Sequence, residues 1–196
     1  MTKSIDFYFD IISPYAYIAH KKIEKINKDN RILFNYKPML LGGLHNLANI
    51  TAPAFNDFKM KNMKNDCDLV SKKNSIQFRW NEKFPINSLY IMRGYLFVNH
   101  DKKKEYLNKF FDAYWKDNKD LSNQDNINEI LKTLNIDPNL FLEGIKDDEI
   151  KKLLKQMTTE AFNLEIFGAP TFIYNNKLFW GQDRLEYAID EFLSLK

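Results

Sequence analysis
The sequence predicts an α/β fold whose sheet is interrupted by an all-helical insertion, and three observations carry that prediction. A strand–helix–strand pattern opens the chain, a strand–strand–helix pattern closes it, and only helical periodicity runs between Leu40 and Leu164. At 196 residues the chain is long enough for one domain, or for one domain with a large insertion. Hydrophobic residues make up 44% of it, enough for a real core and too many for a disordered chain.

In residues 4–9, Ile5, Phe7 and Phe9 alternate with Ser4, Asp6 and Tyr8, the period-2 pattern of a half-buried strand. After Asp10, Ile11 and Ile12, a helical pattern runs through Tyr17, Ile18, Ile23 and Ile26. Ser13 suits the N-cap of that helix, and Pro14 suits its first turn, where a missing N–H costs nothing. Residues 32–39 make the second strand, and such a strand–helix–strand connection gives a parallel pair. Helical spacing recurs in Leu89, Met92 and Leu96, in Leu107, Phe110, Phe111 and Tyr114, and in Ile150, Leu153, Leu154, Met157, Ala161 and Leu164. Asp137 and Pro138 mark a helix restart within that stretch. Past Gly168, residues 171–174 and 178–180 flank Asn175-Asn176, a tight hairpin turn. Asp183 then caps a last helix that turns Leu185, Ile189, Phe192 and Leu193 inward. This order predicts a thioredoxin-like core, residues 1–40 and 165–196, with a helical insertion domain, residues 41–164, in its middle.

Charge and composition narrow the function. A net charge of +3, from 29 basic and 26 acidic residues, is too small and too scattered for a nucleic-acid surface. The run Lys102, Lys103, Lys104 reads as a solvated loop or a helix start. The longest apolar runs are too short to cross a bilayer, and Lys3, Asp6 and Asp10 break any apolar leader, which points to the cytoplasm and away from a membrane. A single cysteine, Cys67, excludes an internal disulfide and a dithiol redox centre, and reads as structural. His20, His45 and His100 lack metal-ligand spacing, so no metal is expected.

Three stretches carry a resemblance. Phe7-Tyr8-Phe9-Asp10-Ile11-Ile12-Ser13-Pro14-Tyr15-Ala16-Tyr17 resembles an opening strand with its active-site turn. Phe167-Gly168-Ala169-Pro170-Thr171-Phe172 resembles a cis-proline loop, and Trp180-Gly181-Gln182-Asp183-Arg184-Leu185 a glutathione-holding turn before the last helix. Phe84-Pro85-Ile86-Asn87-Ser88 adds a weaker fourth. In that order they resemble the family of 2-hydroxychromene-2-carboxylate isomerases and kappa-class glutathione transferases, DsbA-like members of the thioredoxin superfamily. The resemblance implies glutathione as cofactor, an aromatic or conjugated carboxylate as small-molecule substrate, and a homodimer.

Where disulfide oxidoreductases of this fold carry Cys-x-x-Cys, this chain has Ser13, Pro14, Tyr15 and Ala16. A hydroxyl cannot exchange disulfides, so what remains is the field of a helix N-terminus, aimed at an anion. The resemblance makes that anion the glutathione sulfur, with the Ser13 hydroxyl favouring its thiolate, so that Ser13 is both catalytic and cofactor-binding. For Ala169 and Pro170 it implies a cis bond and a backbone edge that pairs with the cysteinyl part of glutathione. For Trp180, Gly181, Gln182 and Asp183 it implies the seat of the γ-glutamyl end, Asp183 pairing with the ammonium. Arg184 has two readings, a substrate-binding residue or, the favoured one, a structural ion-pair partner.

For the substrate, the resemblance expects a lysine just after Leu40-Leu41-Gly42-Gly43, where His45 stands nearest. It expects an asparagine in the following loop, for which Asn49 and Asn56 compete, and it adds Asn87 from the insertion. Asp66 matches an acid that in kappa-class enzymes reaches glutathione across a dimer interface. The leading function is isomerisation of a conjugated acid: thiolate adds to the double bond, rotation follows, and thiolate leaves. A transferase, in which sulfur stays on the electrophile, is the alternative. A non-catalytic thioredoxin-fold binding protein is the third reading, and intact Ser13, Ala169-Pro170 and Gln182-Asp183 argue against it.

Overall fold
A computed structural model describes residues 3–29 and 31–194. The chain opens with β1 (Ile5–Phe9), α1 (Pro14–Ile26) and β2 (Phe34–Pro38). Helices α2 (Leu41–Leu47), α3 (Asp57–Lys73), α4 (Leu89–Phe97), α5 (Lys103–Trp115), α6 (Gln124–Thr133), α7 (Pro138–Gly144) and α8 (Asp148–Asn163) follow. The hairpin β3 (Thr171–Tyr174) and β4 (Lys177–Trp180) and the helix α9 (Leu185–Ser194) close it. Short 3-10 turns lie at Pro53–Phe55, His100–Lys102 and Gln182–Arg184. Among the described residues no strand falls between β2 and β3, as the helical spacing predicts.

The sheet order is β2-β1-β3-β4. β1 runs parallel to β2 and antiparallel to β3, so the first and last motifs of the sequence meet at its centre. Phe7 lies opposite Tyr36 on one side and Phe172 on the other, and its ring stacks on that of Phe172 at 5.1 Å. Phe7, Phe9 and Phe172 are all fully buried, each worth about 1.5–3 kcal/mol of transfer free energy. The hairpin turn is made by Asn175 and Asn176 at φ 51° and 57°, the two left-handed residues that a right-twisted hairpin needs.

Alternation alone puts Tyr8 on the outer side of β1, and there the structure differs. Tyr8 is buried in a second apolar cluster with Met39, Leu44, Ala161, Ile166 and Ala169, because α2 and α8 of the insertion cover the other face of the sheet. The Lys102, Lys103, Lys104 run is a helix start, leading from the 3-10 turn into α5. Asp137 caps α7 through the amides of Asn139 and Leu140. Asp183, by contrast, does not cap α9. It lies inside the 3-10 turn, whose N-cap is Gly181, and its carboxylate pairs with Arg184.

Candidate active site
The site is built where β1 ends. Ser13, buried at the N-cap of α1, accepts a hydrogen bond from Ala16 N at 3.1 Å, and Pro14 opens the helix without needing a partner. The same hydroxyl donates to the carbonyl of Ala169 at 2.8 Å. A serine hydroxyl has one hydrogen, so in this arrangement it is committed to Ala169. The Ala169–Pro170 bond is cis, as is Phe84–Pro85. Gly181 N donates to the Pro170 carbonyl at 2.9 Å. Two hydrogen bonds thus draw three motifs, remote in sequence, into one place.

Around Gly181 the backbone is unusual for a reason. Its φ of 107° suits glycine, and a Cβ there would stand 2.5 Å from Asp183 Oδ1. A Cβ on Gly168 would likewise stand 2.6 Å from Trp180 Nε1, so the bare glycine lets the half-exposed indole fold back against Phe167. Gln182 is buried, and its Oε1 has no hydrogen-bond partner among the described residues. Asp183 is exposed and bonded to Arg184. Lys22, from α1, reaches the Gln182 carbonyl at 3.4 Å. Burial pulls the pKa of that lysine down, and the charges of Glu186 and Asp183 act against the shift. An unpartnered buried acceptor, an exposed carboxylate and a lysine suit a ligand that carries both an ammonium and carboxylates.

The three asparagines lie at helix ends. Asn49, exposed and at φ 53°, ends α2: its N–H bonds the Asn46 carbonyl and that of Ile50 the His45 carbonyl, the paired bonds of a Schellman cap. Asn56 is the exposed N-cap of α3, accepting from Lys59 N, and Asn87 accepts from Leu89 N at the start of α4. Each has a local backbone duty that accounts for it. His45 is buried, which pulls its pKa down, while the Phe167 carbonyl beside its ring acts the other way. Cys67 is buried, and burial pushes its thiol up, with the Asp66 charge adding to the effect.

The family model of the DSBA-like thioredoxin domain matches residues 4–192. The chain belongs to that family. It is similar to a 2-hydroxychromene-2-carboxylate isomerase of Sphingobium xenophagum, 23% identical over 189 residues that cover 95% of this chain and 96% of the relative. It is also similar to glutathione S-transferase kappa 1 of Caenorhabditis elegans, 26% identical over 205 residues that cover 95% and 89%. A solved 2-hydroxychromene-2-carboxylate isomerase shares the fold at a TM-score of 0.88 and 21% identity, covering 97% of this chain and 95% of that one. Each of these matches runs nearly end to end, and the relatives are named as enzymes of those two kinds.

Three residues of the site escaped sequence reasoning. Asp10 is fully buried behind Ser13 and accepts from Ile12 N, Leu41 N and Ser88 Oγ. Its only signal in the sequence is a carboxylate set between Phe9 and Ile11. Tyr15, next to the Ser13–Pro14 pair, donates its hydroxyl to Asp66 at 2.8 Å. Lys22 lies in the third turn of α1 and gave no signal at all. A cavity of about 660 Å³ between the later turns of α1, the outer edge of β2 and α5 contains none of these groups. The converging motifs, not that cavity, define the candidate site.

Proposed function
We propose that this protein uses glutathione to isomerise a conjugated, aromatic carboxylic acid, in the manner that the name 2-hydroxychromene-2-carboxylate isomerase implies for its relatives. The observation that carries the reading is the meeting of Ser13, the Ala169–Pro170 loop and Gly181 through the Ser13–Ala169 and Gly181–Pro170 hydrogen bonds. Glutathione supplies a thiol that becomes a nucleophile when it loses its proton. The chain's part is to hold that thiol at the N-terminus of α1, where the Tyr15 amide and the helix dipole favour an anion. The Ser13 hydroxyl would turn from the Ala169 carbonyl to the sulfur, exchanging a neutral acceptor for a charged one, which is the stronger bond. Gln182 Oε1 and Asp183 would receive the ammonium of the γ-glutamyl end, and Lys22 offers a cation to its carboxylate. Trp180, half exposed beside Gly168, would cover the peptide.

A transferase of the kappa kind is the second reading, and His45 favours it. In place of a lysine facing an acidic substrate stands a buried ring against the Phe167 carbonyl. The reading also includes a homodimer. Phe55 and Phe58 at the entry to α3 are 74% and 86% exposed, and Asp66 lies further along the same helix. His45, Asn49, Asn56 and Asn87 stand as proposed substrate contacts only if their present duties are shared with a ligand.

Titration calorimetry with glutathione tests the binding, and mass balance tests the reaction. Recovery of all glutathione with an isomerised acid supports the first reading, and its consumption on an electrophile supports the second. No heat at millimolar glutathione would overturn both. A monomer in sedimentation at micromolar concentration would remove the dimer.

A further inference from the structure
Asp10 lies at the end of β1 with no exposed surface. Its Oδ1 accepts from Ile12 N at 3.1 Å, and its Oδ2 accepts from Leu41 N at 2.8 Å and from Ser88 Oγ at 2.9 Å. Its backbone carbonyl accepts from Ser13 N at 3.1 Å. These donors belong to three separate parts of the chain: the turn before α1, the start of α2 and the start of α4.

Each of those parts lacks something that Asp10 provides. Leu40, the N-cap of α2, has no side chain able to cap, so the free amides there go outward: Leu40 N to Thr158 Oγ1 and Leu41 N to Asp10. Ser88 stands at the N-cap of α4 and makes no cap bond there, and its hydroxyl donates to Asp10. One turn along α2, His45 meets the Phe167 carbonyl, and two residues later the Ala169 carbonyl receives the Ser13 hydroxyl. A chain of contacts therefore runs from Asp10 through α2 and the 167–169 loop to Ser13, and returns to Asp10 through Ser13 N. Trp115 Nε1 steadies the same turn by donating to the Ile11 carbonyl at 2.8 Å.

We infer that Asp10 is a positioning residue: the charge of its carboxylate, rather than its bulk, holds the Ser13 turn and the His45-bearing helix α2 in register. The inference rests on the reading of Ser13 as the residue that attends the glutathione thiol. An ionised carboxylate accepts all three donors at once, whereas a protonated one must turn an O–H toward one of them. The Ser88 hydroxyl can rotate to accept that proton, but the Ile12 and Leu41 amides cannot. With that proton given to Ser88 Oγ, the Ile12 and Leu41 amides still find an acceptor, but their bonds change from charge-assisted to neutral and hold the turn and the helix less tightly. The titratable or charged groups on the surrounding elements are Asp6 and Tyr8 on β1, Tyr15, Tyr17, His20, Lys21, Lys22, Glu24 and Lys25 on α1, His45 on α2, and Tyr90, Arg93 and Tyr95 on α4. None of them is hydrogen-bonded to Asp10, and among the described residues no ion pair compensates its charge.

The test is nuclear magnetic resonance of the intact protein over a pH titration, following the Asp10 carboxyl carbon, the amides of Ile12, Ser13 and Leu41, and the His45 ring. In wild type the carboxyl and the three amides should share one midpoint. Ser88→Ala removes a donor to the charged form, so that shared midpoint should rise by about one unit. Asp10→Asn should abolish the step at Ser13 while His45 keeps its own titration. With glutathione bound, Asp10→Asn should also raise the thiol midpoint, read from thiolate absorbance in the ultraviolet, by about one unit, with affinity changed less than about threefold. A Ser13 amide that does not follow Asp10, or a midpoint that Ser88→Ala leaves in place, would overturn the inference. Should wild type fail to bind glutathione, the functional reading falls, and the titration of the free protein still decides the role of Asp10. Should Asp10→Asn fail to fold, Ser88→Ala decides it.

Discussion
The Ser13 hydroxyl donates to the Ala169 carbonyl at 2.8 Å, joining the start of α1 to the loop before β3 across 156 positions of sequence. It also caps α1 through Ala16 N. One side chain thus has a structural duty at each end of its hydroxyl, and the functional duty proposed for it borrows from the first. Ser13→Ala should cost about 1 kcal/mol for the lost cap and about 1–3 kcal/mol for a buried carbonyl left unpaired. Urea denaturation measures that sum. The effect on a bound thiol is smaller than a free hydroxyl would give, because the hydrogen must leave Ala169 to reach sulfur. The thiolate titration of bound glutathione should rise by about one pKa unit, with affinity nearly unchanged. Superimposable titrations in the two proteins would leave Ser13 as a cap and a tether only.

Two buried groups pull the pH dependence of stability in opposite directions. Burial pushes Asp10 up to about 6, against the bonds from Leu41, Ile12 and Ser88. Burial pulls His20 down to about 4, while contacts with Asn108 and Glu24 act the other way. For Asp10 the folded value lies above the unfolded one, so its contribution is full below about pH 4 and lost as pH rises through 6. For His20 the folded value lies below the unfolded one, so its contribution is full above about pH 6.5 and lost as pH falls toward 4. The two contributions oppose each other between about pH 4 and 6. Wild type should therefore show a shallow profile of urea midpoint there. Asp10→Asn should expose the His20 slope, with stability falling as pH falls. A profile of Asp10→Asn as flat as that of wild type would refute the opposition.

Gly181→Ala tests the turn that carries Gln182 and Asp183. At φ 107° and ψ 154° a side chain is strained, and the new Cβ would press on Asp183 Oδ1. A loss of about 1–3 kcal/mol in stability is expected from the backbone alone. Glutathione affinity should fall with it, since Asp183 must move. Unaltered affinity alongside lowered stability would take Asp183 out of the binding site.

Much of the fold was legible because its signals are local. Ser13-Pro14 is a helix start by the chemistry of capping, Asn175-Asn176 is a turn by its tolerance of positive φ, and Ile5, Phe7 and Phe9 alternate as a strand must. What stayed hidden depends on long-range contact. Tyr8 is buried only because α2 and α8 cover the second face of the sheet. Asp10 is engaged by Leu41 and Ser88, 31 and 78 residues away, and nothing in its neighbourhood announces them. Asp183 has the chemistry of a cap, but the 3-10 turn moves the cap position to Gly181. The asparagines show the reverse difficulty: Asn49, Asn56 and Asn87 suit a ligand by type and serve helix ends by position.

Gln182 offers a prediction in which stability and function separate. Its Oε1 is buried without a partner, which costs about 1–3 kcal/mol relative to a satisfied group. A site that stores such a cost has a use for it when a ligand brings the missing donor, and the ammonium of glutathione is such a donor. Gln182→Leu replaces the amide with an apolar side chain of similar size, so no acceptor remains to be satisfied. The folded protein should be unchanged or more stable, by up to about 1 kcal/mol, in urea denaturation. Glutathione affinity should fall by about tenfold, because a hydrogen bond to a charged group is lost, and calorimetry reads that directly. Gln182→Glu keeps the acceptor and adds a charge that an ammonium would welcome, so it should bind at least as well as wild type while losing stability in the free state. Retained affinity in Gln182→Leu would mean that the γ-glutamyl end is held by Asp183 or Lys22 without help from this side chain.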